Sequence, residues 1–300
     1  MKESLSNPPA DTSFETSLSK LRSRIDTIDE KLVALLQERT GIVREVGELK
    51  AGHAPGLCPI RPAREASQLR YIAKAFASGP FPAAAAMGIW RLIISASLSI
   101  EAEMKLSVYT PPDDPTCVLM ARDYFGHFTP AIRQTMPRRV IADLLDGKAT
   151  IGILPPPRMD EAQPWWLDLS SMGQEGTPPV IFARLPFASN ARPGQNDYAL
   201  AIARIAPEAS GDDISFIALS LGESLSTHRL QSSFTTAKIE ASWAAVHGQQ
   251  DGRRQILVEM KGFHTPETPA LKELLASLGS GLLGAVFLGN YAVPPALATA

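Results

Sequence analysis

The sequence is poor in the residues that build metal centres and disulfide frameworks. It has two cysteines, Cys58 and Cys117, and five scattered histidines in 300 residues. These provide neither a disulfide pattern nor a zinc-ligand spacing, so no metal site is predicted. The formal net charge is −2, without the surplus of basic residues that is typical of nucleic-acid-binding proteins. A nucleic-acid partner is therefore not expected.

Signals of secretion and of membrane insertion are also lacking. Residues 1–16 are polar and acidic, without the basic start and apolar core of a secretory signal, and they predict a disordered tail. No apolar run is expected to reach the length of a membrane-spanning helix. The sequence therefore predicts a cytoplasmic protein without a membrane partner.

A regular heptad pattern does occupy residues 18–52. Apolar residues recur at steps of three and four, which predicts a long helix with one apolar seam formed by Leu21, Ile25, Ile28, Leu32, Leu35, Ile42, Val46 and Leu49. A helix of about 35 residues is about 50 Å long, too long for one short neighbour to cover. It needs partner helices or a second copy of itself.

Two shorter helices are predicted to follow, at residues 62–78 and 82–106, because glycine and proline interrupt the pattern before each of them. Three helices with short connections predict an all-α domain over residues 17–107. Residues 108–116 are rich in proline and aspartate and predict a linker.

Beyond the linker, short apolar runs alternate with helical stretches, which predicts α/β and α+β domains in a multi-domain chain. The runs interpreted as strands are Cys117–Met120, Ile151–Leu154, Val180–Ala183, Tyr198–Ile205, Ile214–Leu219, Gln255–Met260 and Val286–Leu288.

Polar residues on the predicted apolar stripes indicate a pocket among the helices. Arg39 continues the seam where leucine is expected, and an arginine there is costly unless it is paired or binds an anion. In the third helix, Ser97 and Glu101 lie on one stripe, and a buried carboxylate is either paired or protonated. The alternative is that Arg39 extends into solvent or meets a glutamate across the seam.

Arg22 and Lys50 flank the seam about 42 Å apart along one helix, so they cannot serve one pocket within one chain. In an antiparallel dimer, Arg22 of one copy could approach Arg39 and Lys50 of the other. Solvated flanking charges are the alternative.

Three segments resemble the all-helical chorismate mutases: residues 21–50 (LRSRIDTIDEKLVALLQERTGIVREVGELK), 61–65 (RPARE) and 89–101 (IWRLIISASLSIE). The resemblance spans residues 18–106 and implies an intertwined homodimer. The catalytic residues that it implies are Arg39, Lys50, Glu101 and, donated across the dimer interface, Arg22. It adds Arg64, Glu65 and Ser97 as substrate-binding residues. Arg61 occupies a position where the family often has aspartate, and it is left out of the site.

The reaction implied by the resemblance is the pericyclic rearrangement of chorismate to prephenate, which needs no nucleophile, metal or cofactor. The enzyme must orient the substrate and stabilise charge on the breaking ether oxygen. Arg22 and Arg39 suit the two carboxylates. Lys50 and Glu101 are predicted to contact the ether oxygen, and Glu101 can donate a proton there only when protonated. Activity is therefore expected to fall as the pH rises.

Residues 117–206 resemble a shortened prephenate dehydratase domain, on the basis of Phe125–Thr129 and of residues 140–155. Two later signatures of that family are absent, at residues 156–158 and 198–205, so dehydratase activity is expected to be lost. Trp165-Trp166 is interpreted as core packing, with a ligand platform as the alternative.

Residues 207–300 are similar to an ACT domain, with strands expected at Ile214–Leu219, Lys238–Glu240 and Gln255–Gly262. Its phenylalanine-binding signatures are not kept, so amino-acid feedback is not expected. Two other interpretations of the chain remain: a bifunctional mutase–dehydratase, and a non-catalytic binding or regulatory protein. Retention of the charged residues at the family's spacing argues against the second.

Overall fold

The computed structural model describes residues 12–53, 58–159, 161–171, 178–187, 198–248 and 253–295. The chain divides into two compact units, Met1–Leu57 and Cys58–Ala300. This division falls inside the region predicted as one all-α domain, 17–107. Residues 1–11 of the predicted tail lie outside the described residues.

The first unit contains one helix, α1, which runs from Thr12 to His53. It begins inside the predicted tail and confirms the long helix. Glu15 in its first turn and Lys50 in its last turn complement the helix dipole. The eight seam side chains are 38% to 64% exposed, with Val46 the least exposed and Leu49 the most.

The second unit begins with two helices, α2 (Pro62–Ala75) and α3 (Ala83–Glu101), which pack against each other. The proline at the first position of α2 suits a helix start, because its missing N–H would have no partner there. The prediction that α3 reaches residue 106 is wrong. Ala102 adopts an extended backbone, and Leu106 already belongs to the first strand.

By length and composition, α3 could cross a membrane, so the expectation that no run reaches such a length is corrected. Within the protein, however, Met87 and Leu98 are 1% and 5% exposed. The Ser95 hydroxyl donates a hydrogen bond to the Phe125 carbonyl oxygen at 2.5 Å. These contacts pack one face of α3 against the rest of its unit, whereas Ile89, Leu92 and Ile100 on the same helix are 41% to 46% exposed.

An α/β region follows, with strands β1 (Leu106–Tyr109), β2 (Ala131–Gln134), β3 (Ile151–Leu154), β4 (Val180–Leu185) and β5 (Ala199–Ala203), and helices α4 (Thr116–Phe125), α5 (Pro137–Leu145) and α6 (Trp165–Ser171). Val108 and Tyr109, the start of the predicted linker, therefore belong to β1. The strand predicted at Cys117–Met120 is wrong. Those residues lie in α4, where Cys117, Ala121 and Tyr124 recur with helical spacing on the buried face.

The last region is an α+β unit formed by β6 (Asp213–Leu221), α7 (Thr227–Thr236), β7 (Ala241–Gly248), β8 (Arg254–Lys261), α8 (Pro269–Ser277) and β9 (Leu282–Ala292). This βαββαβ order is ferredoxin-like and agrees with the ACT-like expectation. The strand predicted at Lys238–Glu240 is wrong, because Lys238 has a φ of 56° and completes the end of α7.

The nine strands of the described residues form one sheet in the order β2-β1-β3-β5-β4-β9-β6-β8-β7. The regions predicted at 117–206 and 207–300 therefore share this sheet, and β4 meets β9 where Ile181 pairs with Gly289. Gly289 has a φ of 121°, and a Cβ there would lie 2.2 Å from the Ile181 carbonyl oxygen. Only glycine fits this junction.

Trp165 and Trp166 are 0% exposed and belong to a core cluster with Ile181 and Phe216. The interpretation of this pair as core packing is confirmed. Burial of both indoles fixes α6 against the sheet.

Candidate active site

Three of the predicted site residues lie on α1. Arg22 is exposed, whereas Arg39 and Lys50 are partly buried. Arg39 and Lys50 are three helical turns apart, so they occupy the same side of α1 at a separation of about 16 Å. All three belong to the first compact unit.

The remaining four belong to the second unit, where α2 carries Arg64 and Glu65 and α3 carries Ser97 and Glu101. Arg64 is exposed and Glu101 is partly buried. Ser97 is 8% exposed, and its hydroxyl donates to the Ile93 carbonyl oxygen at 2.7 Å. Ser97 and Glu101 are one turn apart on the same side of α3, as the sequence predicts.

Glu65 is the more buried of the two carboxylates in the predicted set. It is 7% exposed, in the first turns of α2. Its Oε1 accepts the Arg61 backbone N–H at 3.2 Å, and its Oε2 accepts from Arg91 Nη1 at 2.7 Å. Arg61 thus contributes a backbone donor to Glu65, while its side chain pairs with Glu208 at 2.5 Å.

Arg91 was missed by sequence reasoning. It is 4% exposed, and its Cζ lies 4.3 Å from the centroid of the Tyr124 ring. Burial lowers the pKa of Arg91, but the interactions with Tyr124 and Glu65 outweigh this and raise the pKa overall. Burial also raises the pKa of Tyr124 to about 12, so its phenol is neutral at physiological pH.

A signal for Arg91 was present in the sequence. The buried stripe of α3 consists of Met87, Arg91, Ile94 and Leu98, which recur at steps of four, three and four. An arginine at such a position has to be paired, by the same argument that singled out Arg39. The stripe that the sequence analysis followed on this helix is the one that carries Ser97 and Glu101, and Arg91 does not lie on it.

Among the described residues, no group of three or more His, Cys, Asp or Glu side chains is arranged to hold a metal ion. The contacts of Glu65 and Ser97 on α2 and α3 are hydrogen bonds and one ion pair.

Comparison with known proteins agrees with the resemblance of the N-terminal region. Residues 21–102 match the family model of chorismate mutase type II. The chain carries a chorismate mutase domain. The similar curated proteins include the bifunctional chorismate mutase/prephenate dehydratases of Aquifex aeolicus (strain VF5), 32% identical over 142 residues, and of Pseudomonas aeruginosa, 29% identical over 146 residues. These alignments cover 46% and 47% of this chain but only 38% and 39% of the relatives, so the chain spans about two fifths of their length.

Solved structures with some likeness to the chain include the prephenate dehydratase of Arthrobacter aurescens in complex with L-Phe, at 14% identity and a TM-score of 0.46, covering 65% of this chain and 93% of that one. GqqA, described as a novel type of quorum quenching acylase, is 16% identical with a TM-score of 0.45, covering 65% of this chain and 97% of that one.

Proposed function

We propose that the chain is a chorismate mutase that converts chorismate to prephenate in aromatic amino acid biosynthesis. The observation that carries this proposal is that the matched residues, 21–102, contain all seven side chains predicted to bind substrate. They are Arg22, Arg39, Lys50, Arg64, Glu65, Ser97 and Glu101.

The proposed catalysis is orientational and electrostatic, without a covalent intermediate or a cofactor. Arg22 and Arg39 bind the two substrate carboxylates through paired N–H donors, which hold the side chain of chorismate over its ring. Lys50 and protonated Glu101 donate to the ether oxygen and stabilise the charge that develops there.

Glu65 and Ser97 bind the ring hydroxyl in this proposal, and Arg64 helps to orient the substrate. Each Glu65 oxygen accepts one hydrogen bond from the protein. A carboxylate oxygen has two lone pairs, so each retains capacity to accept from a substrate hydroxyl. The arrangement of Glu65 therefore supports this role.

The proposed active form is a homodimer in which the partner subunit's Arg22 completes the pocket. Support comes from the α1 seam, whose eight apolar side chains are 38% to 64% exposed. Fully burying an exposed side chain of this kind contributes about 1.5–3 kcal/mol, and these side chains, which are about half exposed, would contribute part of that when the α1 of a second copy covers the stripe. We also propose a cytoplasmic location. The order of a mutase, a dehydratase-like and an ACT-like region is retained as a proposal, with strand β1 (Leu106–Tyr109) assigned to the dehydratase-like region.

Residues 117–206 are proposed to have lost dehydratase activity, because two family signatures are absent from the sequence. The relatives named above are bifunctional, so the reaction product is the decisive observation. The alternative is a bifunctional enzyme that forms phenylpyruvate.

The test is incubation of the purified full chain with chorismate at several pH values, with products identified by NMR. Prephenate alone, formed faster than in the enzyme-free blank, is the expected result. Phenylpyruvate formed faster than the acid-driven blank would show an active dehydratase region. Chorismate consumption equal to the blank would overturn the mutase proposal in favour of a binding protein.

A further inference from the structure

We propose that Arg91 is a positioning residue for Glu65, and that Tyr124, outside the mutase domain, holds Arg91 in place. The α/β region would then form part of the support of the mutase site. This inference rests on the proposed function, because it assigns a role to residues behind a substrate-binding side chain.

Arg91 and Glu65 form a pair of buried charges. Arg91 and Glu65 are 4% and 7% exposed, and Arg91 Nη1 lies 2.7 Å from Glu65 Oε2. A buried ion pair is costly to desolvate, and removing one partner leaves an uncompensated charge in the interior. Each of the two residues therefore restricts where the other can lie.

The other contacts of Arg91 leave its guanidinium few partners besides Glu65. Its Nε and Nη2 atoms are buried, and neither has a hydrogen-bond acceptor in the described part of the chain. The orientation of the guanidinium is consequently determined by Glu65 at one nitrogen and by the Tyr124 ring, 4.3 Å from Cζ. An arginine over an aromatic face is attracted by the ring, most strongly when desolvated.

Tyr124 comes from a different region of the chain than Arg91 and Glu65. It lies in α4, beyond the end of the matched mutase residues at 102. The Ser95 hydroxyl adds a hydrogen bond from α3 to the carbonyl oxygen of the next residue, Phe125. The contact between α3 and α4 therefore holds Arg91, the partner of Glu65, against Tyr124 of the α/β region.

The surroundings of Arg91 also indicate a suitable substitution. Beside it lies a cavity of about 180 Å³, whose lining is mainly apolar and includes Leu69, Met87 and Phe187. Methionine has a similar length, no charge and enough flexibility to pack against such a lining. Arg91→Met is thus expected to remove the ion pair and to lower stability, because Glu65 loses its buried partner, while the methionine fills the space of the arginine.

The experiment is a double-mutant cycle on the full chain, with Arg91→Met, Glu65→Gln and the double variant. Mutase kcat and KM are measured with chorismate, and folding is monitored by circular dichroism. Each single substitution is expected to lower kcat about 10- to 100-fold, since a small displacement of a positioned group has effects of that size. If Arg91 acts through Glu65, the double variant falls no more than about twofold below Glu65→Gln.

Arg70 is the matched control. It also fixes a mutase helix to the C-terminal region, donating to the carbonyl oxygens of Ser210 and Asp212 at 2.8 Å and of Val293 at 3.0 Å. It has no hydrogen bond or ion pair to Glu65 in the described residues. Arg70→Met is expected to lower the melting temperature, and its effect on kcat should multiply with that of Glu65→Gln.

Tyr124 is tested by two substitutions. Tyr124→Phe keeps the ring under the guanidinium and is expected to retain kcat within about twofold, whereas Tyr124→Leu removes the ring and is expected to lower kcat. No loss of kcat in Tyr124→Leu would overturn the role of Tyr124, and equal loss in the two variants would overturn the role of its ring.

The outcomes separate the inference from the proposed function. A wild-type chain that does not consume chorismate would overturn both. An active wild type in which Arg91→Met and Glu65→Gln have multiplicative effects would overturn only the inference. Should Arg91→Met fail to fold, Arg91→Lys takes its place in the cycle, because lysine keeps the charge and loses the planar fork. Multiplicative effects in that cycle would likewise overturn the inference.

Discussion

The two parts of the predicted mutase pocket are carried by helices in different physical situations. On α1, the apolar seam is open, with Leu35 60% and Leu49 64% exposed. On α2 and α3, the apolar residues Leu69 and Met87 are each 1% exposed, in a core that also contains residues of the sheet and α4. The residues that match one family, 21–102, are therefore divided between the two compact units of this chain.

The difference shows which partner each helix depends on. Most helical stability in proteins comes from packing of an apolar face, and α1 offers such a face along its length. We expect that face to be covered by a second copy. The helices α2 and α3 each bury one apolar face within their own unit, although Ile89, Leu92 and Ile100 of α3 are 41% to 46% exposed.

The largest expected effect comes from charging the α1 seam. Leu35→Asp places a carboxylate where two copies of α1 are proposed to pack, and it should abolish the dimer and lower mutase activity at least about 100-fold. Size-exclusion chromatography with light scattering and a chorismate assay measure both. Gln37→Asp adds the same charge about 160° away around the helix and should leave both unchanged. A wild-type chain that is monomeric and fully active would contradict the proposal that a second copy covers the α1 seam.

The next effect acts on the second unit. Gly289→Ala places a Cβ 2.2 Å from the Ile181 carbonyl oxygen at a positive φ, so it should cost about 3 kcal/mol or more of unfolding free energy. Gly284→Ala in the same strand meets only Ser220 side-chain atoms at 3.8 Å and should cost less than about 1 kcal/mol. Denaturant titration of both variants measures the difference. Equal stability would mean that the β4–β9 junction does not hold the sheet together.

A smaller effect is expected from replacing Glu101, the proposed proton donor on α3. Glu101→Gln supplies an amide donor at every pH, so the decline in kcat expected at higher pH should flatten. A chorismate assay from pH 5 to pH 9 gives the profiles. The same pH dependence in both forms would remove Glu101 from the proposed role.

The smallest expected effect is on the stability of the sheet, through Glu259 in β8. Burial raises the pKa of Glu259 above its ordinary value of 4.5, and Arg184 partly opposes this. A carboxyl with a raised pKa in the folded state favours folding below pH 4.5, and this contribution is lost as the pH rises through the folded-state pKa.

Glu259→Gln should therefore raise stability at pH 7 by less than about 1 kcal/mol and leave the mutase pH profile unchanged. Chemical denaturation at pH 4 and pH 7 measures this effect. Glu240→Gln is the control, because Glu240 is exposed and pairs only at the surface with Lys261. A gain at pH 4 as large as that at pH 7 would contradict the assignment.

Much of the fold followed from local patterns. The heptad predicted α1, and the apolar runs at Ile151–Leu154, Ile214–Leu219 and Gln255–Met260 lie within observed strands. The wrong predictions were those in which tertiary contacts, and not local patterns, select the structure. Cys117–Met120 is a short apolar run that fits a helix or a strand equally well, and its burial against α3 and β1 selects the helix.

The helical seam, the positions of the charged residues on it and the resemblance to a mutase could all be predicted from the amino-acid sequence, because each depends on spacing along one element. The three-dimensional fold was needed to show that α2 and α3 share a core with the sheet, that Gly289 joins two regions, and that Arg91 contacts Glu65 and Tyr124. These are contacts between residues far apart in the chain, and periodicity within one helix or strand carries no information about which other element covers its buried face.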